Sequence, residues 1–362
     1  MKMASLAQTT QLTRTALKWA GIAFAAFLII RLVLFPVGKS IWNAVFPKAH
    51  PAPTTAFGKL PEIPFPTKTQ PTQLTFTIQT TAGVLPPTCV LEVCLVSDDP
   101  SQPLNIPDRI NVYPTDERAA GFSSYDLAKQ KVGRIDFTGE GAAVSPIIYS
   151  WRDAKVEGRQ ITFDIVTNAF TLKSPIAPES QALPLIEATT VSKRMLSDMG
   201  LLPTDLEDAK TKTIFLKLQN GNLVRTTSLA ESNAIQVDFY RKSLDKLLIL
   251  YPQTDRSLMS FRVKRGNGVP QQIIEANFSH KPVDITNPST YPIKTAQQAF
   301  DELQAGKGYF AATGPGKVFP IQKVYLAYYE GLDNIEFFLP VFVFEGNSFQ
   351  AFVEAIAPEW QE

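Results

Sequence analysis

Histidine is the side chain most often used for acid–base catalysis, and this chain has two, His50 and His280. A serine hydrolase needs a histidine beside its serine, and a catalytic zinc site usually needs several histidines close together. His50 lies in a proline-rich stretch, whereas His280 follows a strand-like alternation and precedes Lys281 and Pro282. There is no Gly-x-Ser-x-Gly elbow and no paired-histidine motif. The pattern predicts a loop histidine at 280 and no catalytic site built on histidine.

A glycine-rich run with a lysine occupies residues 314–318 and resembles a phosphate-binding loop. That motif needs a glycine where the chain has Ala311, and a serine or threonine where it has Val318, to cradle the phosphates and hold magnesium. Both residues are missing. We therefore predict a surface turn and no nucleotide site.

Carboxylates form a short cluster at Asp205, Glu207 and Asp208. Calcium loops alternate their oxygen ligands over twelve residues with a central glycine, and this stretch has neither feature. It is typical of a solvated helix start. A glycosidase-type acid and base remain an open alternative, because such carboxylates are usually far apart in sequence.

The two cysteines, Cys89 and Cys94, share one strand-like run. Five strand steps separate their sulfurs by roughly 16 Å and place them on opposite faces. A disulfide needs Cα atoms within about 7 Å, so we expect two buried, inert thiols. No metal or other cofactor is expected.

Aromatic residues recur near the C-terminus and could line a ligand groove. The simpler interpretation is that these rings form sheet core, with a few ordinary tyrosines at the surface. Alternation along the strand nevertheless points some of the rings outward. If a partner binds here, its candidate surface consists of Tyr325, Tyr328 and Tyr329. Nucleic-acid binding would need basic residues between the aromatics, and Lys323 is nearly alone there. The net charge of +1 also provides no field that would attract nucleic acid.

Residues 19–37 form an apolar run whose one charged residue is Arg31. Nineteen helical residues span roughly 28 Å, close to the hydrocarbon thickness of a bilayer. Trp19 and Trp42 bracket the run as interfacial aromatics do. Arg31 can extend its charge to the headgroups. The pattern predicts a single transmembrane helix with the lipid bilayer as a partner. A cleaved signal peptide is the alternative, but no good cleavage site follows.

The charges on either side of this span are balanced, so they hardly bias its orientation. A short tail, one span and a long domain make the simplest signal-anchor arrangement. We therefore expect residues 1–18 inside and the bulk of the chain extracytoplasmic. The prolines of 38–71 favour an extended stalk, with Phe57, Leu60, Ile63 and Phe65 available to lie along the folded domain.

The remaining residues predict an α+β fold of tandem units, each with one helix packed on an antiparallel β-meander. The chain is 362 residues long, which exceeds a typical single core. The expected units are 72–184, 185–284 and 285–362.

Capping and turn residues place the elements of the last two units. Thr295 and Gln298 fit a capping box that begins a helix. Asn220-Gly221 and Gly346-Asn347 fit tight hairpin turns.

Three runs in the last unit resemble YycH- and YycI-type regulatory accessory proteins and are similar to PepSY-like modules. They are TYPIKTAQQAFDELQAGKGYF (290–310), KVYLAYYE (323–330) and FFLPVFVFEGNSFQAFVEAIAP (337–358), and the upstream AIQVDFYR (234–241) has the same style. The resemblance covers about a quarter of the chain. It implies an extracytoplasmic interaction or regulatory module that acts on a membrane sensor kinase or a peptidase.

Anchor, stalk and repeated pattern together predict a membrane-anchored, extracytoplasmic binding or regulatory protein that contacts another membrane or envelope protein and is not an enzyme. Two alternatives stay open. One is an envelope hydrolase that uses scattered carboxylates. The other is a structural subunit of a membrane assembly, in which Arg31 pairs inside the bilayer.

Overall fold

The computed structural model describes Trp19 and residues 52–66, 75–78, 88–89, 107–116, 120–332 and 336–362. The chain forms two compact units, Met1–Ala52 and Pro53–Glu362. The predicted span, with Arg31, and Trp42 beyond it lie outside the described residues, apart from the exposed Trp19. Within the described ranges, no helix is both long enough and apolar enough to cross a membrane.

The second unit is α+β, with a strand-rich core and few helices. Its helices in the described ranges are α1 (Ser124–Gly133), α2 (Leu185–Asp198), α3 (Thr204–Glu207), α4 (Val269–Gln272) and α5 (Ala296–Gln304), with 3₁₀ turns at Leu229–Glu231 and Pro358–Trp360. Its strands there are β1 (Thr75–Ile78), β2 (Thr88–Cys89), β3 (Arg109–Pro114), β4 (Ala142–Ala143), β5 (Ile148–Arg152), β6 (Gln160–Asp164), β7 (Phe170–Lys173), β8 (Lys210–Gln219), β9 (Asn222–Thr226), β10 (Ala234–Tyr240), β11 (Leu248–Leu250), β12 (Met259–Val263), β13 (Ile273–Phe278), β14 (Ser289–Pro292), β15 (Tyr309–Thr313), β16 (Val318–Ile321), β17 (Lys323–Tyr329), β18 (Phe337–Phe338), β19 (Pro340–Gly346) and β20 (Phe349–Glu354).

A nine-stranded antiparallel sheet has the order β4-β5-β6-β7-β13-β12-β10-β8-β9. Its central pairing joins β7 to β13, with Phe170 opposite Phe278. This pairing crosses the expected boundary at 184/185. The structure therefore differs from the prediction of separate units there, because strands from both segments share one sheet.

The two faces of this sheet differ in chemistry because successive strand residues point to opposite sides. One face is core, and a single row across it contains Ile161, Leu172, Ala276, Phe261 and Val237, all buried. The neighbouring row on the opposite face is polar. This polar row is half-buried at β5, β6, β7 and β13, and it is buried at Ser260 in β12 and Asp238 in β10.

Helix α2 covers the core face at β10 and β12. Ala188, Val191, Met195 and Leu196 recur at helical spacing and form its buried side. The helix ends before Gly200, whose φ of 68° is the left-handed conformation that glycine adopts without strain.

A six-stranded sheet contains the C-terminal strands in the order β11-β17-β19-β20-β15, with β2 also paired to β17. Helix α5 begins with the predicted capping box, in which Thr295 accepts from the Gln298 amide and Gln298 accepts from the Thr295 amide. The prediction of a simple meander was wrong in one respect. Strand β15 follows the helix but pairs with β20, the last strand, at the far edge of the sheet.

Gly346 is a strand residue opposite Phe349, and Asn347 and Ser348 form the hairpin loop. The predicted turn is thus displaced by one residue. A Cβ on Gly346 would lie 2.1 Å from the backbone oxygen of Pro320. Glycine is needed here because a neighbouring strand approaches closely, and the turn itself does not require it.

Part of the predicted stalk packs on the domain. Leu60 is fully buried and Ile63 nearly so. The amide of Leu60 donates to the carbonyl of Trp360, and the Phe65 ring stacks on Tyr309 at 5.2 Å. The apolar residues of this segment therefore lie along the folded domain, as their spacing allowed.

Two small sheets complete the described fold. Strands β1 and β16 form a parallel pair, and β3 lies between β14 and β18. Strand β3 carries Tyr113 and Asn111 toward β17, where the Tyr328 hydroxyl donates to the Asn111 carbonyl over 2.8 Å. This bond ties the small sheet to the six-stranded one.

Candidate functional site

A cleft of about 560 Å³ opens beside the ends of β10 and β13. That volume lies within the range of small-molecule and peptide sites. Its walls are mostly apolar and its floor is charged. The lining includes Asp205, Arg241, Lys242, Leu244, His280 and Ile285.

Arg241 is the central residue of the floor. It follows β10 directly, so its direction is fixed by the sheet. Its Nε donates to Oδ2 of Asp205 over 2.6 Å, and its Nη1 donates to Oε1 of Glu330 over 3.1 Å. The same Nη1 donates to the carbonyl of Lys281 over 2.9 Å. One guanidinium therefore joins two carboxylates and the segment after β13.

Glu330 is the buried carboxylate that binds Arg241, and it also contacts the backbone on either side of it. It follows β17, and its side chain is 0% exposed. Its amide donates to the carbonyl of Leu250, while its Oε1 accepts from the amide of Lys281 over 3.1 Å. A buried carboxylate needs such compensation, because an isolated charge would be costly away from water.

Asp205 presents the second carboxylate from the short helix α3. His280 approaches it with Nε2 at 3.0 Å from Oδ1. Burial acts to raise the pKa of Asp205, but the hydrogen bond from His280 and the charge of Arg241 outweigh it and lower the pKa well below the usual range. Asp205 is therefore ionised at neutral pH and accepts hydrogen bonds without donating any.

The electrostatics of Arg241 are complementary. Burial acts to lower its pKa, but the charges of Glu330 and Asp205 raise it above the ordinary value. The floor thus consists of one cation between two anions, with His280 beside it. Such an arrangement holds the floor in one geometry and can orient a bound ligand.

Apolar residues rise above this floor. Leu244 is half-buried, and Ile285, at the rim, has 62% of its surface exposed. Lys242 adds a solvent-exposed charge whose acidic partner, Asp208, lies 3.5 Å away. An apolar wall with a few fixed polar groups is typical of a site that binds a peptide or another amphipathic ligand.

The three predicted partner-surface tyrosines are in the core. Tyr325, Tyr328 and Tyr329 are 7%, 0% and 1% exposed. The expectation that they face a partner is corrected, because both faces of β17 are covered in this fold. The hydroxyl of Tyr325 donates to Glu345 over 2.8 Å, so even its polar end is used internally.

Other sequence candidates lie away from the cleft. Cys89 belongs to β2, and Cys94 lies outside the described residues. The run 314–317 is the loop between β15 and β16, as predicted. Within the described ranges, no three acidic, histidine or cysteine side chains are grouped as metal ligands would be.

Sequence reasoning placed Asp205 in a solvated helix start and His280 in a loop, and it missed Arg241 and Glu330. One feature of the sequence does mark these two charged residues. Arg241 and Glu330 each end a run of strand residues that is otherwise almost wholly buried. A charge directly after such a run often has a partner.

The chain was compared with protein-family models, curated proteins and solved structures. No protein-family model matches the chain, and no curated protein matches it. Among solved structures, an uncharacterized protein from Eubacterium rectale aligns with 69% of this chain and 85% of its own, at 10% identity and a TM-score of 0.37. The Bacillus megaterium YpeB C-terminal domain aligns over 67% of this chain and 95% of its own, at 12% identity and a TM-score of 0.29. These scores do not establish a shared fold. The resemblance to YycH- and YycI-type proteins and to PepSY-like modules therefore stays a prediction.

Proposed function

We propose that the chain is a membrane-tethered, extracytoplasmic binding domain that regulates another envelope protein by contact, with the cleft around Arg241 as its contact site. The apolar run 19–37 supports the tether, and the packing of residues 53–66 on the domain supports a short connection to it. The partner segment would insert an apolar side chain between Leu244 and Ile285 and make polar contacts near His280.

The main support for this proposal is the floor of the cleft, where Arg241 is paired with two carboxylates beneath apolar walls. Arg241 binds Asp205 and Glu330 at once, which holds the two carboxylates of the floor in one geometry. A hydrolase that used two carboxylates would need one of them protonated at neutral pH. The lowered pKa of Asp205 makes this residue unsuited to the role of the acid.

Site-specific photo-cross-linking in native membranes tests the proposal. A photoreactive residue replaces Ile285 at the cleft rim in the full-length chain. A matched chain carries it at Val224, an exposed apolar residue of the edge strand β9. We expect one envelope protein to be joined at 285 and not at 224. Equal cross-linking at both positions, or none at either, would contradict the assignment of the cleft.

A further inference from the structure

A second site lies on the polar face of the nine-stranded sheet. Directly opposed residues in neighbouring strands share a face and have Cβ atoms about 5 Å apart. The strand registers give one unbroken row of polar side chains across six strands, in the order Ser150, Thr162, Thr171, Asn277, Ser260 and Asp238.

A pocket of about 430 Å³ opens over part of this row. Thr162, Thr171 and Asn277 line it from the sheet. The loop that contains Pro252 and Leu258 forms an apolar flank. The pocket therefore has one hydrogen-bonding side and one apolar side.

The polar side is fixed by contacts within the sheet. The hydroxyl of Thr171 lies 3.5 Å from the side-chain oxygen of Asn277, and Nδ2 of Asn277 donates to Glu275 over 3.1 Å. Residues held in this way lose little conformational freedom when a ligand binds.

The pocket is also compensated in charge. Arg256, which lines it, donates to Glu275 over 2.8 Å, and Glu275 also accepts from Arg262 over 2.7 Å. Asp164, which lines it too, uses Oδ1 to accept from the amides of Val166 and Thr167. Arg256 is thus paired with Glu275, just outside the lining, and Asp164 is bonded to the backbone, which favours an uncharged ligand over an anionic one.

Hydroxyl and amide side chains both donate and accept hydrogen bonds. Sugar hydroxyl groups do the same, and a pyranose ring also presents an apolar face of C–H groups. From this match we propose that the pocket binds a short, uncharged glycan, with its hydroxyls on Thr162, Thr171 and Asn277 and its ring against Pro252 and Leu258. This is a different pocket from the cleft, and its occupancy does not depend on a protein partner.

Calorimetric titration of the full-length chain in nanodiscs tests the site. The probes are cellobiose and N,N′-diacetylchitobiose, with an anionic heparin disaccharide as comparator. We expect at least one neutral disaccharide to bind and the heparin disaccharide not to bind. Failure of both neutral probes, or equal binding of the anionic one, would overturn the proposal.

Variants then locate the binding. Thr171→Val and Thr162→Val keep the side-chain shape and remove the hydroxyl, and each is expected to weaken binding threefold or more. The matched control is Thr213→Val. It lies in the same sheet but on the opposite face, beside Val237, and should bind like the wild type. Equal loss in the control would contradict the assignment.

Hydrogen–deuterium exchange on the unaltered chain gives a readout that does not rely on any variant folding. Saturating disaccharide is expected to slow exchange in β6, β7 and β13. Protection confined to the cleft, or found nowhere in these three strands, would overturn the proposal.

Discussion

Nε2 of His280 lies 3.0 Å from Oδ1 of Asp205, and this contact joins the segment after β13 to helix α3 across 75 residues of sequence. Arg241 binds the other oxygen of the same carboxylate. The contact matters because it fixes Asp205 as an ionised acceptor in the floor of the cleft. We therefore expect the stability of the domain to depend on the contacts of Asp205 and Arg241 in this floor.

Replacing Arg241 should destabilise the domain strongly. Arg241→Met leaves Asp205 and the fully buried Glu330 without their cation, and breaking a buried pair in this way costs about 3–5 kcal/mol. Urea unfolding of the full-length chain, followed by circular dichroism, measures the loss. The control is Arg225→Met, which breaks an exposed pair with Asp255 and should cost about 1 kcal/mol or less. Similar losses in both variants would contradict a structural role for the floor.

Acid should weaken the domain partly through Asp205. The pKa of Asp205 in the folded chain lies below its unfolded value of about 3.9. Asp205 therefore stabilises the fold at pH values above about 3.9, and this stabilisation is lost as the pH falls toward the folded pKa. Asp205→Asn is expected to be less stable at pH 7 and to depend less on pH between about 5 and 3. Urea midpoints measured across this range would show the difference.

Asp238 is the matched control for that titration, because its shift has the opposite sign. Burial raises the pKa of Asp238, so its contribution becomes less favourable as the pH rises above the unfolded value of about 3.9. Asp238→Asn is expected to remove that decline and to leave stability at pH 8 equal or higher. A similar loss at pH 8 in the Asp205 and Asp238 variants would contradict the two environments that the fold gives these carboxylates.

The close approach at Gly346 should make alanine costly there. The added Cβ would meet the backbone oxygen of Pro320, which a flexible side chain cannot relieve. Gly346→Ala is expected to lower the free energy of unfolding by about 1–3 kcal/mol. Gly133→Ala, at the end of α1, is the control. An added Cβ there would have no neighbouring atom within 4 Å, so this variant should be neutral or stabilise by up to about 1 kcal/mol. Chemical denaturation compares the two, and an equal effect in both would contradict the close strand packing at Gly346.

The buried tyrosines provide a test of their place in the core. Tyr328→Ala should cost about 3–5 kcal/mol, as the truncation of other large buried rings does. Tyr328→Phe removes the hydroxyl, with its hydrogen bond to the Asn111 carbonyl and its longer one to Asp245, and should cost about 1 kcal/mol. Val318→Ala, at an exposed site, should change stability by less than about 0.5 kcal/mol. Thermal unfolding of the three variants is the measurement, and a fully stable Tyr328→Ala would place the ring at an exposed surface.

Elements with local signals could be predicted from the sequence. The capping box at Thr295 and the turn at Asn220-Gly221 involve residues within a few positions of one another. The turn has φ values of 51° and 80°, which the Asn-Gly pair adopts readily.

Pairings between distant strands could not be predicted in the same way. Nothing near Phe170 indicates that it will lie opposite Phe278, and nothing near Tyr309 indicates that β15 will join β20. Both pairings join strands that are far apart in sequence, so the apolar face of each strand finds its partner only when the whole chain folds. The repeated pattern of helix and strands in the sequence did not determine where one sheet ended.

The cleft was missed for a related reason. Arg241 and Glu330 are 89 residues apart, and His280 is 75 from Asp205. Each charged residue taken alone fits an ordinary surface position. Only the folded chain brings the four together and pairs Arg241 with both carboxylates.

Protease accessibility in intact spheroplasts tests the central claim, that the folded unit acts outside the membrane from a tether at residues 19–37. The full-length chain carries one tag before residue 19 and another after Glu362. We expect added protease to remove the C-terminal tag and degrade the domain, while the N-terminal tag survives on a short membrane-bound fragment. A C-terminal tag that stays protected until the membrane is permeabilised would contradict it.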